Sequence, residues 1–131
     1  INFMETEAKK TILIVEDDEF LRSLAAKRLE KEGYAIEVAV DGESALNVAL
    51  ETKPTLVLLD LLLPGRDGFE VLKQIKENAL IKTVPVIIFS NLGRAEDIEK
   101  AQKLGAVDFL IKANFTLDDL AQKVKERLSK T

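Results

Sequence analysis

A chain of 131 residues has room for one compact domain but not two. Its 47% hydrophobic and 32% charged residues are the balance of a globular domain, and a net charge of −4 leaves no basic stripe for nucleic acid. Cysteine and histidine are both absent, which excludes disulfides, thiol catalysis, zinc fingers, histidine base chemistry and a phosphohistidine carrier within the chain.

No apolar run approaches the roughly 18 residues of a membrane span. Only Thr11–Val15 separates Lys9-Lys10 from an acidic cluster, which does not read as a signal peptide. The chain therefore reads as soluble and cytoplasmic, with no membrane partner. Ile1-Asn2-Phe3 precede the only methionine, Met4, so residues 1–8 are expected to be a disordered or expression-derived N-terminus and 9–131 the folded domain.

Strand-like and helix-like segments then alternate five times. Thr11–Val15 is a short β-branched run, followed by Phe20–Lys31 with Leu21, Leu24, Ala25 and Leu29 on one helical face. After Gly33 comes a second strand, Ala35–Val40, and a short helix, Glu43–Leu50. Thr55–Leu59 is the third strand. The third helix begins near Asp67, at capping-box spacing from Glu70, and turns Phe69, Leu72 and Ile75 inward. Val84–Phe89 is the fourth strand and Ala95–Leu104 the fourth helix, ended by Gly105. Val107–Ile111 is the last strand. Thr116 caps a final helix striped by Leu117, Leu120, Ala121, Val124 and Leu128.

Such alternation implies an α/β fold: a five-stranded parallel sheet covered on both faces. The order 2-1-3-4-5, that of flavodoxin-like doubly wound folds, places the reversal between strands 1 and 3. Glu16-Asp17-Asp18 and Asp60 then face each other across the crevice at the carboxyl edge of the sheet.

Asp60 ends the apolar run Leu56–Leu59 and opens a loop punctuated by Pro64-Gly65. Alone it is an ordinary turn or capping residue. Three other strand ends also carry polar groups, namely Glu16-Asp17-Asp18, Ser90 and Lys112. Clustered carboxylates are costly unless a cation shares them, and oxygen donors without histidine or thiolate favour magnesium. Asp60 can then be a nucleophile, with Ser90 donating a hydrogen bond and Lys112 neutralising charge on an incoming phosphoryl group.

In these residues the chain resembles the receiver domains of two-component response regulators, the chemotaxis-regulator-like family, over about Lys10 to Leu128. Ser90 and Lys112 lie 30 and 52 residues beyond Asp60, spacings that suit the family's pattern. The resemblance implies a phosphoacceptor role for Asp60, and metal binding by Asp17, Asp60 and the backbone carbonyl of Leu62. Glu16 would act on the metal mainly through water, and Asp18 competes for a ligand role because three acids in a row leave the register open. Ser90, Lys112 and Phe109 would form the phosphoryl-binding and switch set. A histidine kinase or phosphotransfer protein would be the donor. The output, over residues 94–128, would reach a downstream protein or effector domain or drive a phosphorylation-dependent homodimer. By this resemblance the chain is a signalling domain that assists only its own phosphorylation and dephosphorylation.

Two positions depart from the pattern. Ala113 follows Lys112 where the family usually has proline, so the loop adopts trans geometry or holds a strained cis bond. Asn91 follows Ser90 where a very small residue is common, and either narrows access or adds a donor. Leu62 and Leu92, apolar at positions flanking the water path in this family, predict slow self-dephosphorylation. Two other readings stand beside the switch. A haloacid-dehalogenase-type phosphohydrolase is disfavoured because Asp60-Leu61-Leu62 lacks the second acid. A phosphorylation-independent interaction module is disfavoured by the intact acid, Asp, Ser and Lys set.

Overall fold

A computed structural model describes residues 9–129. The expected N-terminal segment 1–8 lies outside the described residues. Five strands, β1 (Thr11–Val15), β2 (Ala35–Ala39), β3 (Leu56–Leu59), β4 (Val86–Ser90) and β5 (Asp108–Ile111), form one parallel sheet in the order β2-β1-β3-β4-β5. Four helices connect them, α1 (Glu19–Glu30), α2 (Gly42–Thr52), α3 (Gly68–Glu77) and α4 (Ala95–Lys103), and a fifth, α5 (Leu117–Leu128), follows β5. The doubly wound flavodoxin-like architecture read from the sequence is the architecture of the molecule.

The period-two geometry of the strands divides the core. Leu13, Val15, Val57, Leu59, Val86 and Ile88 point to one face, against Ala45 and Ala49 of α2, Val71, Leu72 and Ile75 of α3, and Ala101 of α4. Ile12, Ile14, Leu56, Leu58, Ile87 and Phe89 point to the other, against Ala25 and Leu29 of α1 and the Leu120, Ala121, Val124 and Leu128 stripe of α5. At about 25 cal/mol per Å² of apolar surface, burial on both faces is the dominant favourable term. It also explains why β1, β3 and β4 read as near-continuous apolar runs, while the edge strand β2 exposes Glu37 and Val38.

Local chemistry sets the helix starts. Asp18, Asp41, Asp67 and Thr116 cap α1, α2, α3 and α5, each accepting from a backbone N–H of the first turn. The Asp67 and Glu70 spacing does not close a reciprocal box: Asp67 accepts from Phe69 N, while Glu70 accepts from Gln74 along the helix. Thr116 and Asp119 do form one. Gly68 is required at its position, because a Cβ there would lie 2.4 Å from Leu61 Cα, and its N–H donates to Leu61 O at 3.2 Å. That contact folds the loop after β3 back beside Asp60.

Several boundaries differ from the sequence reading. β4 starts at Val86, not Val84, since Pro85 has no N–H for the ladder and contributes only its carbonyl, to Val57 N at 3.0 Å. β2 stops at Ala39, one residue before Val40, and β5 begins at Asp108. Leu24 is exposed rather than on the inner face of α1, because that face is centred on Ala25 and Leu29. No cis peptide occurs among the described residues, so the Lys112–Ala113 bond is trans, and Lys112–Asn114 forms a single 3₁₀ turn before α5.

Candidate functional site

Strand register aligns the ends that carry polar groups. Val15 pairs with Ala39 and Leu59, Leu59 with Ile88, and Ser90 with Ile111. Glu16 and Asp60 therefore leave the sheet side by side, their N–H groups donating to Ala39 O at 3.0 Å and Val15 O at 3.1 Å. Ser90 is the last residue of β4 itself, and Lys112 follows β5 directly.

Asp60 is buried, and both its oxygens are engaged. Oδ1 accepts from Ser90 Oγ at 2.7 Å and from Leu62 N at 3.0 Å, and Oδ2 accepts from Lys112 Nζ at 2.8 Å. Lys112 Nζ lies 2.6 Å from Glu16 Oε1, so one ammonium bridges two carboxylates. Glu16 Oε2 accepts from Asp18 N at 3.1 Å. Burial pushes the Glu16 carboxyl above its usual range, aided by the Asp60 charge and opposed by Lys112 and the Asp18 N–H. Burial alone would lower the Lys112 ammonium, but its bonds to Asp60 and Glu16 outweigh that and hold it above the usual lysine value.

Glu16, Asp17 and Asp60 each offer a carboxylate oxygen, all within 4.8 Å of one another. Asp17 is exposed and its carboxylate has no protein partner among the described residues. With no histidine or cysteine in the chain, this all-oxygen, doubly buried and singly open donor set fits a hard dication such as magnesium. Asp60 Oδ1 already accepts two hydrogen bonds, whereas Asp60 Oδ2 and the two Glu16 oxygens each accept one and keep a lone pair for a ligand role.

The remaining singled-out residues stand around this centre. Asp18 accepts from Leu21 N at 3.1 Å as the α1 cap and stays out of the acidic cluster, in keeping with the Glu16-Asp17 register. Asn91 is exposed and makes no hydrogen bond to Asp60. Leu62 is 52% exposed on the rim, whereas Leu92 is partly buried and its N–H donates to Ser90 Oγ at 3.3 Å. Phe109 pairs with Ile88 and packs, partly buried, against the core on the α2, α3 and α4 face. Sequence reasoning missed Arg22, whose guanidinium reaches the acidic loop. The available signal was its place four residues after the Asp18 cap, one helical turn above that loop.

Residues 12–125 match the response regulator receiver domain family. The chain is 37% identical over 117 residues to sporulation initiation phosphotransferase F of Bacillus subtilis, covering 89% of this chain and 92% of that protein. It is 33% identical over 120 residues to the DNA-binding dual master transcriptional regulator RpaA of Synechocystis, covering 92% of this chain and 49% of that one. The chain thus spans about half the length of several curated relatives it matches. Among solved structures, a CheY-like receiver domain protein from Methanospirillum hungatei superposes with a TM-score of 0.88 at 28% identity, covering 94% of this chain and 96% of that one. The Mn(2+)-bound form of response regulator Rcp1 superposes with a TM-score of 0.75 at 30% identity, covering 89% of this chain and 90% of that one. The chain belongs to the response regulator receiver domain family of two-component systems, a family of signalling domains.

Proposed function

We propose that this chain is a phosphorylation-controlled switch whose phosphoacceptor is Asp60. The observation that carries the reading is the convergence of Ser90 and Lys112 on the two oxygens of one buried aspartate, beside Glu16 and Asp17. The donor is the phosphohistidine of a histidine kinase or phosphotransfer protein. An Asp60 oxygen attacks phosphorus in line, forming an O–P bond as the N–P bond breaks and the imidazole nitrogen leaves with the electron pair. Lys112 neutralises a phosphoryl oxygen while remaining near Asp60. Ser90, now donating to Asp60, redirects its hydroxyl to the new group.

Glu16, Asp17, Asp60 and the Leu62 carbonyl are the residues that would hold magnesium, Glu16 mainly through water. When bound, the ion neutralises charge on the carboxylates and phosphoryl oxygens. Drawing Ser90 toward the phosphoryl group pulls the loop between β4 and α4, and Phe109 turns further inward, shifting the population between two packings. The altered surface, α4, β5 and α5, signals to a downstream protein, to an effector domain, or to a second copy in a phosphorylation-dependent dimer. The domain works in the cytoplasm, does not itself contact nucleic acid or membrane, and assists only its own phosphoryl chemistry. The receiver domain covers residues 9–131.

Intact mass after incubation with a small acyl phosphate, with and without magnesium, tests this reading. A magnesium-dependent gain of one phosphoryl group that disappears in Asp60→Asn is the expected result. A gain that survives in Asp60→Asn would sink the assignment of the acceptor.

A further inference from the structure

The acidic run Glu16-Asp17-Asp18 presents three successive backbone carbonyls, and all three accept from a single residue. Arg22 Nη1 donates to Glu16 O at 2.9 Å and to Asp17 O at 3.4 Å, while Arg22 N donates to Asp18 O at 2.9 Å. The Asp17 bond is at its long limit, so the Glu16 bond is the stronger anchor. The backbone bond belongs to the first turn of α1, so the guanidinium is carried by an element packed on the sheet through Ala25 and Leu29.

The three carboxylates of the cluster differ in what holds them. Asp60 has Ser90, Lys112 and Leu62 N, and Glu16 has Lys112 and Asp18 N. Asp17 has no side-chain partner among the described residues, yet its oxygen lies within 4.8 Å of the other two. Its place there depends on the orientation of its backbone. The carbonyls on either side of the Asp17 Cα are those of Glu16 and Asp17, and these are the two that the guanidinium holds. Fixing both peptide planes fixes the direction of the Asp17 Cα–Cβ bond and so narrows where its carboxylate can reach.

We infer that Arg22 is a positioning residue for the dication pocket, orienting Asp17 through the Glu16 and Asp17 carbonyls without facing the ion. The inference rests on the reading of Glu16, Asp17 and Asp60 as a magnesium site. Its sign is informative, because the Arg22 charge and the Arg22 hydrogen bonds act in opposite directions on a nearby dication. Charge alone makes removal of Arg22 tighten binding, by relieving repulsion. Positioning makes removal weaken it, through freedom returned to the Asp17 backbone. Loss of a group that orients a metal ligand typically weakens affinity by about 10- to 100-fold, and a partly exposed clamp belongs at the lower end.

The test is titration calorimetry of magnesium into the unphosphorylated protein, comparing wild type with Arg22→Ala and Arg22→Lys, alongside melting curves in chelator. Arg22→Ala is expected to weaken binding about 10-fold. Arg22→Lys keeps the charge without the planar fork and is expected to recover only part of the affinity. In acyl-phosphate labelling, Arg22→Ala should raise the magnesium concentration for half-saturation and leave the rate at saturating magnesium unchanged, a split that general loss of folding would not produce. Unchanged or tighter binding by a folded Arg22→Ala overturns the role of Arg22 alone. If Arg22→Ala does not fold, wild-type affinity in Arg22→Lys overturns it. Absence of magnesium binding by wild type overturns the inference together with the site reading beneath it.

Discussion

Two lysines sit at opposite ends of the sheet, and their surroundings drive their charge in opposite directions. At the carboxyl edge, Lys112 meets two carboxylates, and its proton is held more tightly than usual. At the amino edge, Lys76 of α3 packs its stem near Gly105 and donates to the backbone carbonyls of Lys82 at 3.2 Å and Val84 at 2.6 Å. Carbonyl dipoles offset less of the burial cost than full charges do, so burial pushes the Lys76 ammonium down. Both lysines tie loops together. Under the proposed phosphoacceptor reading, only Lys112 stands where a second negative group arrives, and that reading is what gives it a role beyond the structural one of Lys76.

The comparison is broken most severely by replacing Lys112. Lys112→Met leaves Glu16 and Asp60 buried beside each other and removes a cation from the incoming phosphoryl group. Labelling of Asp60 by an acyl phosphate should slow about 100-fold, the scale for losing one charge-stabilising donor. The melting temperature of the variant in chelator should fall, and magnesium should restore more of it than in wild type. Labelling at the wild-type rate would return Lys112 to a purely structural role.

Lys76→Met should cost about 1–2 kcal/mol in urea unfolding, because two carbonyls lose their donor while the stem keeps its packing. Magnesium affinity and labelling should not change. A labelling defect would mean that the two ends of the sheet are coupled.

The two lysines should also respond to alkali with opposite slopes. Lys112 titrates in the folded state above 10.5, so its stabilising contribution is complete below 10.5 and is lost as pH rises through the higher folded value. Lys76 titrates below 10.5 when folded, so the penalty for keeping it charged eases as pH climbs from that lowered value toward 10.5. Stability differences between wild type and each methionine variant, followed by urea unfolding across the alkaline range, should therefore diverge for Lys76 and converge for Lys112. Parallel curves would erase the distinction.

The smallest effect is expected on the rim. Leu62 is 52% exposed and its own N–H bonds Asp60 Oδ1, and the proposed switch would have its side chain shield the acceptor from water without orienting it. Leu62→Ala should shorten the phosphoryl half-life a few-fold in a decay measurement by intact mass. An unchanged half-life would remove the shielding role.

The alternation of strands and helices and the four strand ends bearing Glu16-Asp17, Asp60, Ser90 and Lys112 were legible in the sequence, because apolar periodicity and turn chemistry are written locally along the chain; the strand order came with the flavodoxin-like fold that this alternation suggests. Pro85 shows the limit of such patterns. The apolar run that includes Val84 reads as strand, but the ladder starts at Val86 because hydrogen bonding, not hydrophobicity, defines the strand edge. Leu24 shows the same limit in a helix, since four apolar residues of one stripe cannot all face a sheet whose contact is centred on Ala25 and Leu29. Asp18 was ambiguous in sequence because a cap and a ligand require the same side chain; in the structure its Oδ1 accepts from Leu21 N as the α1 cap, and it lies outside the Glu16, Asp17 and Asp60 cluster.

The sequence by itself determined the doubly wound fold and which residue types reach the carboxyl edge, since residue spacing alone sets periodicities of two and near four. Tertiary structure decided which oxygen meets which donor: Ser90 on Asp60 Oδ1, Lys112 shared between Asp60 and Glu16, and Arg22 on the carbonyls of the acidic loop. It decided as well that the Lys112 ammonium is held above its ordinary value by its two carboxylates while burial pushes that of Lys76 below it. These outcomes depend on register between strands far apart in the chain and on burial. Both arise only when separate segments pack, and no local stretch of sequence encodes them.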